Sequence, residues 1–333
     1  MTKKTVKNVS KSPKTAAKIK DSAVTRKGAT SKDKKDKHVS VSPKEKNALG
    51  ALPFPERPKN CRIIAICNQK GGCGKTTTTV NLAAGLASMN QRVLVIDLDS
   101  QCNATSSLGI DPDEVETSTF DLLANPKNVT AADIVLETEY ENLHIAPGSL
   151  DLSEFESRVA GEIGRENRLK KALAVVSGLY DFILIDTPPS LGLLSVNALN
   201  AAQEVHIAMQ AHPFAFDGLT LLLGTIQLVK EELNRDLKVT GIVVTMFDNR
   251  TRISREIVDK VCAIEELKPL VYKTVVRQNV KITEASKMRI PVMYYDAASP
   301  GSQDYLALSR EVALKNQTAT LLLNTEKEIS AAL

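Results

Sequence analysis

The sequence predicts an α/β protein with a doubly wound, mostly parallel sheet flanked by helices. Two observations lead to this prediction. From Arg62 onward, short β-branched apolar runs alternate with segments whose apolar residues recur at helical spacing. A glycine-rich stretch, KGGCGKT at 70–76, stands where the first predicted strand passes into the first predicted helix.

Most of the predicted strands are apolar along nearly their whole length, as expected for parallel strands that are buried on both faces. They are RIIAIC (62–67), RVLVID (92–97), NLHIAP (142–147), DFILID (181–186), EVHIAM (204–209), VTGIVVT (239–245) and PLVYKTVV (269–276). Helical periodicity predicts helices over 76–89, 217–233 and 303–323. Strands and helices of these lengths, in alternation, favour crossover connections and therefore a parallel sheet.

Charge is divided unevenly along the chain. The 333 residues carry a net charge of +4, but residues 1–50 alone carry +11 and the remaining residues carry −7. Residues 1–58 are rich in Lys, Ser, Thr and Ala and lack an apolar period, so we expect a basic, disordered tail. One folded domain is expected over 59–333. Contact with nucleic acid, docking to another protein and a solubilising role are all compatible with the composition of the tail.

Composition excludes several classes of protein. Apolar residues make up 43% and charged residues 25%, which is ordinary for a globular protein. No apolar run approaches the ~20 residues that span a bilayer, and the first residues lack the apolar core of a secretory signal. The five cysteines are an odd number without a C-x-x-C pair. They favour a reducing compartment over a disulfide framework or zinc site, so we expect a cytoplasmic protein.

The stretch CNQKGGCGKTTTT at 67–79 has the context of a phosphate-binding loop, because it follows a strand and opens a helix. Glycines let successive backbone N–H groups face an anion, and the helix N-terminus adds partial positive charge. Lys75 is expected to reach the β- and γ-phosphates of a nucleotide, and the Thr76 hydroxyl to bind Mg²⁺. Gln69 replaces the first glycine of the usual pattern, so the loop is a variant form.

The segment KGGCGKT resembles the deviant Walker A loop, KGGxGK[ST], of the ParA/MinD class of P-loop ATPases. The resemblance covers residues 61–318 and includes VLVIDLDSQCNATSSLG, FILIDTPPSLGLLSVNAL, TMFDNRT and VVRQNVKITEASKMRIPVMYYDAAS. These stretches are most similar to ParA-type chromosome- and plasmid-partitioning ATPases. The resemblance implies a Mg²⁺-dependent, nucleoid-associated ATPase whose ATP-bound homodimer binds DNA nonspecifically. A ParB-like centromere-binding partner is implied to stimulate hydrolysis and release.

The resemblance also implies roles for individual residues around the phosphates. Lys70 matches the signature lysine that reaches the partner's nucleotide across the dimer, and Asp99 matches the catalytic aspartate that orients or deprotonates the attacking water. Asp97 matches an acidic neighbour, and Asp186, which closes the run FILID, matches the Walker B carboxylate. The implied catalytic residues are Lys70, Lys75 and Asp99, and the implied Mg²⁺ residues are Thr76, Asp99 and Asp186. The implied phosphate contacts are Lys70, Gly71, Gly72, Cys73, Gly74, Lys75, Thr76 and Thr77.

Contacts with adenine and DNA are implied in the last third of the chain. The residues that match the region around the base are Met246, Asp248, Arg277 and Asn279. The family often has Pro-Arg-Asn where this chain has Arg277, Gln278 and Asn279. The implied DNA contacts are Arg250, Arg252, Arg277 and Lys281. Because the folded part carries −7, attraction to DNA requires a local basic patch or help from the tail.

Two relatives of the same fold are alternatives. A MinD-like ATPase that positions a division site or protein cluster binds membrane through a basic, aromatic-containing C-terminal helix. This chain ends in LLLNTEKEISAAL, with two glutamates, one lysine and no aromatic residue, so no membrane contact is expected. An iron–sulfur relative needs cysteines from two chains, whereas Cys67 and Cys73 are expected to be small space-filling residues. The motifs do not specify the cargo.

Overall fold

One seven-stranded sheet organises residues 61–213 and 215–315, the part of the chain that the structure, a computed structural model, describes. The strands are β1 (Arg62–Cys67), β2 (Val93–Asp97), β3 (Leu136–Glu137), β4 (Leu143–Ala146), β5 (Phe182–Asp186), β6 (Glu204–Gln210) and β7 (Lys238–Thr245). Their order across the sheet is β3-β4-β2-β5-β1-β6-β7, and all neighbours are parallel except β3 and β4. This confirms the predicted doubly wound, mostly parallel sheet.

Twelve α-helices in the described residues cover the two faces of this sheet. They are α1 (Lys75–Ala87), α2 (Asn103–Ser107), α3 (Thr119–Ala124), α4 (Ala131–Ile134), α5 (Phe155–Arg158), α6 (Arg168–Val176), α7 (Leu193–Ala201), α8 (Ala215–Glu232), α9 (Arg252–Ala263), α10 (Val280–Lys287), α11 (Val292–Tyr295) and α12 (Pro300–Leu314). Apolar residues of α3 to α9 form the core on one face, and those of α1, α2 and α10 to α12 form the core on the other.

Six of the seven predicted strands are present, each within one residue of its predicted ends. The strand predicted over 269–276 is wrong. Two N–H groups of this segment do reach carbonyl groups of β7. Those of Lys273 and Thr274, however, donate to the two carboxylate oxygens of Glu311 on α12, at 2.8 and 3.0 Å. The segment therefore divides its hydrogen bonds between the sheet edge and a helix, and it does not form a ladder.

The predicted helices over 76–89 and 217–233 correspond to α1 and α8, with ends shifted by one or two residues. The third begins at Pro300, three residues before its predicted start, and is described to Leu314. Its predicted continuation to residue 323 and the tail predicted over 1–58 lie outside the described residues. The boundary between tail and folded domain therefore stays a prediction.

Helix α12 packs closely along α1, the helix that follows the glycine-rich loop. The Ser309 hydroxyl lies 3.4 Å from the Leu82 carbonyl oxygen, and the hydroxyls of Tyr305 and Thr78 are 3.4 Å apart. The contact depends on the absence of a side chain at Gly85, since a Cβ there would lie 2.1 Å from Ser309 Oγ and 2.9 Å from Ser309 Cβ. The position of α1 is therefore set from the side opposite the sheet by α12.

Replacing Gly85 by Ala should lower the free energy of unfolding by about 1–3 kcal/mol, because overpacking at Ser309 outweighs the better helix propensity of alanine. Urea unfolding of the variant and the wild type measures the change. Gly178→Ala is the matched control, since a Cβ at Gly178 would have no atom within 4 Å. Adding Ser309→Ala to Gly85→Ala should restore part of the stability. Equal loss in both glycine variants would contradict the packing explanation.

Candidate functional site

Side-chain hydrogen bonds fix the loop between β1 and α1 to β6 and β7. Asn68 accepts a hydrogen bond from the Lys70 N–H at 2.9 Å and donates to the Ala208 carbonyl on β6 at 2.6 Å. The Thr245 hydroxyl at the end of β7 donates to the Cys73 carbonyl at 2.7 Å. These bonds fix the loop from both sides before any ligand binds.

The first turn of α1 presents positive charge and backbone donors to the loop. Gly74 precedes the helix with a left-handed φ of +90°, which favours glycine, and it makes no side-chain capping bond. No acidic residue lies in this first turn. The Lys75 side chain is buried, and its ammonium lies 3.4 Å from the Lys70 carbonyl oxygen. The N–H groups of a first helical turn and a lysine ammonium are the donors that a phosphate loop uses, and phosphate binding by this loop stays a prediction.

Asp186 connects the strand ends to the phosphate loop. Its carboxylate accepts hydrogen bonds from the hydroxyls of Thr76 at 2.7 Å and Thr79 at 3.1 Å, one turn apart on α1. The side chain is fully buried. The hydroxyl and the carboxylate that were predicted to share a Mg²⁺ ion are therefore in direct contact.

Asp97 lies beside Asp186, because the two residues are in register at the ends of β2 and β5. It is also fully buried. Its carboxylate accepts from the Thr105 N–H at 2.9 Å, the Thr105 hydroxyl at 2.7 Å and the Asp99 N–H at 3.1 Å. Two carboxyl groups thus share one buried edge of the sheet.

Burial raises the pKa of Asp186, and the neighbouring Asp97 raises it further. Burial also raises the pKa of Asp97, against the hydrogen bonds from Thr105 and Asp99 that lower it. In residues 61–213 and 215–315 no group of three or more His, Cys, Asp or Glu side chains could hold a metal by itself. Mg²⁺ usually binds through one or two carboxylates together with water and phosphate oxygens, which this donor set fits.

Hydrogen bonds from Leu98 and Thr187 attach the segments that follow β2 and β5 to the neighbouring strands. The N–H of Leu98, next to Asp99, donates to the Asp186 carbonyl at 3.1 Å, and Asp99 accepts from the Gln101 N–H at 3.0 Å. The Thr187 hydroxyl donates to the Ile66 carbonyl on β1 at 2.8 Å. The predicted catalytic aspartate, Thr187 and the phosphate loop therefore follow the ends of three adjacent strands, β2, β5 and β1.

The segments predicted to surround adenine are joined by backbone hydrogen bonds. The Phe247 N–H donates to the Val276 carbonyl at 3.0 Å, and the Gln278 N–H donates to the Phe247 carbonyl at 2.9 Å. These bonds place Met246 and Asp248 alongside the stretch that contains Arg277. Thr245, which donates a hydrogen bond to the phosphate loop, directly precedes Met246, so these two joined segments begin next to that loop. Asn279 caps α10 by accepting from the Lys281 N–H at 2.8 Å.

Each of the four predicted DNA contacts forms an ion pair within the chain. The pairs are Arg250–Asp248 at 2.9 Å, Arg252–Glu256 at 2.6 Å, Arg277–Asp304 at 2.7 Å and Lys281–Glu284 at 2.8 Å. The Arg250 and Arg252 side chains are 87% and 91% exposed. Exposed pairs of this kind are screened by water and salt and are weak, so a phosphate group can replace the carboxylate. DNA contact by these residues stays a prediction.

Sequence reasoning missed four residues that hold the site together: Asn68, Thr79, Thr105 and Thr245. Thr79 could have been found, since it lies three residues after Thr76 on the same helix and so faces the same carboxylate. Asn68 and Thr245 bond to residues far away in the sequence. Thr105 follows its partner Asp97 by only eight residues, but no local pattern marks it. Cys67 and Cys73 are buried as expected, and burial raises the pKa of the Cys67 thiol to about 12.

Fold and site define a phosphate-loop protein whose loop carries a second lysine, Lys70. Residues 61–239 match the AAA domain family AAA_31. The sporulation initiation inhibitor protein Soj of Bacillus subtilis is 45% identical over 252 residues, which cover 76% of this chain and 98% of Soj. The chromosome partitioning protein ParA of Myxococcus xanthus is 43% identical over 251 residues, 75% of this chain and 87% of that protein. The chain therefore belongs to the ParA/Soj family of P-loop partitioning ATPases.

Solved structures show the same fold. Cobyrinic acid a,c-diamide synthase from Mycobacterium smegmatis, with bound ATP analogue and magnesium, has a TM-score of 0.66 and 33% identity over 76% of this chain and 94% of the other. The septum site-determining protein MinD from Pyrococcus horikoshii, in complex with Mg-ADP, has a TM-score of 0.62 and 26% identity over 76% of this chain and 96% of the other.

Replacing Asp186 by Asn should stabilise the nucleotide-free protein by about 1 kcal/mol at about pH 8.5, because it removes one of two adjacent buried charges. The folded-state pKa of Asp186 is raised, so its carboxyl contributes stability that is fully present below its unfolded pKa and is lost as the pH rises through the folded pKa. The advantage of the variant should therefore shrink at about pH 6.

Urea unfolding of both proteins at the two pH values measures this effect. The control is Asp259→Asn at an exposed site on α9, where we expect no change at either pH. If the Asp186→Asn variant were less stable than the wild type at both pH values, the prediction would be contradicted. The hydrogen bonds from Thr76 and Thr79 would then be enough to offset the desolvation cost of the Asp186 carboxylate without a cation.

Proposed function

We propose that this protein is a Mg²⁺-dependent ATPase that partitions DNA. ATP closes a homodimer, the dimer binds DNA without sequence preference, and hydrolysis stimulated by a ParB-like partner releases it. The observation that carries this proposal is the convergence of Lys75, the Thr76–Asp186 hydrogen bond and Asp99 at adjoining strand ends. Membership of the partitioning family supports the proposed cycle of dimer closure, DNA binding and release on hydrolysis.

Thr76 and Asp186 would hold the Mg²⁺ ion, with Asp99 near it. Hydroxyl and carboxylate oxygens are the hard ligands that this ion prefers, and Asp186 is a buried carboxylate whose raised pKa a cation would lower again. When bound, Mg²⁺ offsets charge on the β- and γ-phosphate oxygens.

The other roles follow from the position and charge of each side chain. Lys75 and the backbone N–H groups of the loop bind the phosphates, and their donors are fixed in place before ATP arrives. Asp99 is the acceptor that orients the attacking water and takes its proton. Lys70, as the resemblance to the family implies, would reach a second copy of the chain, where its ammonium would stabilise the charge of the partner's transferring phosphoryl group. Met246, Asp248 and Asn279 border the base.

A positioning ATPase with a different cargo is the second candidate, favoured by the fold shared with MinD. No helix in residues 61–213 and 215–315 is long and apolar enough to cross a membrane. The two candidates differ in what stimulates turnover. DNA together with a ParB-like partner should raise the ATPase rate of a partitioning protein, whereas anionic lipid vesicles should raise that of a MinD-like protein. The C-terminal stretch LLLNTEKEISAAL lies beyond the described residues, so the full chain is required.

Asp99→Ala should lower ATP turnover by about 100-fold or more while leaving an ATP-bound, DNA-bound dimer, because it removes the group that activates water but not the phosphate contacts. Phosphate release and size-exclusion chromatography with ATP measure the two properties. Lys75→Ala is the contrasting variant and should lose ATP binding. Lys70→Ala should impair dimer closure or hydrolysis more than nucleotide affinity. Turnover at the wild-type rate in Asp99→Ala would refute the assignment.

Deleting residues 2–50, which lie outside the described residues, should weaken nonspecific DNA binding and flatten its dependence on salt. The tail carries +11. Each phosphate that it neutralises makes the negative slope of log affinity against log salt concentration steeper by about 0.9. Binding isotherms of full-length and shortened protein at several salt concentrations provide the test. ATP turnover without DNA serves as the control and should be equal. Coincident isotherms would assign the tail another role.

A further inference from the structure

In both the Arg277–Asp304 and the Arg250–Asp248 pair, one carboxylate binds the side chain and the backbone N–H of the arginine. The Arg277–Asp304 pair differs in that its carboxylate is nearly buried and belongs to a separate element, α12. Arg277 Nε lies 2.9 and 3.1 Å from the two carboxylate oxygens, and Nη2 lies 2.7 Å from one of them. The backbone N–H of Arg277 also donates to the same carboxylate at 3.0 Å. Asp304 is 8% exposed. One nearly buried carboxylate thus binds both the side chain and the backbone of Arg277.

The backbone bond matters because it fixes the chain itself as well as the side chain. The bridging bonds to Phe247 use the Val276 carbonyl and the Gln278 N–H, which leaves the Arg277 N–H for Asp304. Position 277 is also where the family often has proline, a residue that restricts its own φ and has no N–H. In this chain the hydrogen bond from the Arg277 N–H to Asp304 restrains the backbone at that position instead.

Asp304 belongs to α12, the helix that packs on α1 next to the phosphate loop. Its neighbour on α12, Tyr305, is buried, and the Tyr305 hydroxyl lies 3.4 Å from the Thr78 hydroxyl on α1. Thr78 is three residues after Lys75. Successive residues of α12 therefore contact the segment around Arg277 and the helix that carries the phosphate-binding lysine.

We propose that the Arg277–Asp304 pair is a positioning clamp, which holds the 276–279 segment at a fixed distance from the phosphate loop so that the base of the nucleotide fits between them. The proposal rests on the proposed function, since it assigns the base to this segment. Arg277 is then a positioning residue that touches neither the nucleotide nor DNA, because its guanidinium fork is occupied by Asp304. This replaces the sequence-based prediction that Arg277 contacts both.

The test compares the affinities of two ligands that differ in having a base: Mg-ATP and magnesium tripolyphosphate. The variants are Arg277→Ala, Asp304→Ala, the double alanine variant and Arg277→Lys, which keeps the charge but loses the planar fork. Glu256→Ala is the matched control, because it removes the carboxylate partner of Arg252, an exposed arginine on a different helix, α9. Isothermal titration calorimetry gives the affinities, and the thermal unfolding midpoint shows that each variant is folded.

Each single alanine variant should bind ATP about tenfold more weakly, and the double variant no more weakly than the singles, since either change opens the clamp. Tripolyphosphate affinity should stay within about twofold of the wild type in every variant, because the phosphate loop is untouched. Arg277→Lys should fall between wild type and Arg277→Ala. The clamp would be refuted by equal losses for both ligands, or by unchanged ATP affinity in Asp304→Ala or in Arg277→Lys. If the wild type bound Mg-ATP no more tightly than magnesium tripolyphosphate, the clamp alone would be refuted. If the wild type bound neither ligand, the proposed nucleotide site would be refuted.

Discussion

Two carboxylates buried side by side at the ends of β2 and β5 set the constraint on which the site depends. Asp97 and Asp186 are both removed from water, and desolvation disfavours the charged form of each. The surrounding groups compensate through hydroxyl and N–H donors from Thr76, Thr79 and Thr105. Under the proposed function, a divalent cation would complete this compensation. The burial that disfavours two charged carboxylates would then also strengthen their attraction for that cation.

The order of the strands brings this charged edge to the phosphate loop. β1 lies inside the sheet between β5 and β6, so the loop that follows it is flanked by the ends of both. In doubly wound sheets ligands bind at the carboxyl ends of the strands, and here the loop, the two carboxylates and the end of β7 share that edge. Helix α12 supports the arrangement from outside by packing on α1. Local motif and global topology therefore specify the same site.

The sequence predicts those parts of the protein whose determinants are local. The buried strands and the phosphate loop are continuous in sequence, and Asp186 is marked by the apolar run that precedes it. The segment over 269–276 has the composition of a strand, yet Glu311, which follows it by almost forty residues, takes two of its N–H groups. Likewise, nothing near Asp97 in the sequence marks Thr105 as its partner. Such contacts depend on the completed fold and leave no periodic signal.

The ion pairs on the surface bear on how DNA binding could be controlled by ATP. Arg252 and Lys281 each stand within one helical turn of a glutamate, so a phosphate that approaches them must displace or repel that carboxylate. Residues 51–333 carry −7, which weakens the attraction further. Under the proposed function, a single protomer with such a surface would bind DNA poorly, whereas two protomers joined by ATP would present twice the cations at a high effective concentration. Weak contacts in each protomer would therefore make DNA binding depend on the dimer, and hydrolysis that opens the dimer would release the DNA.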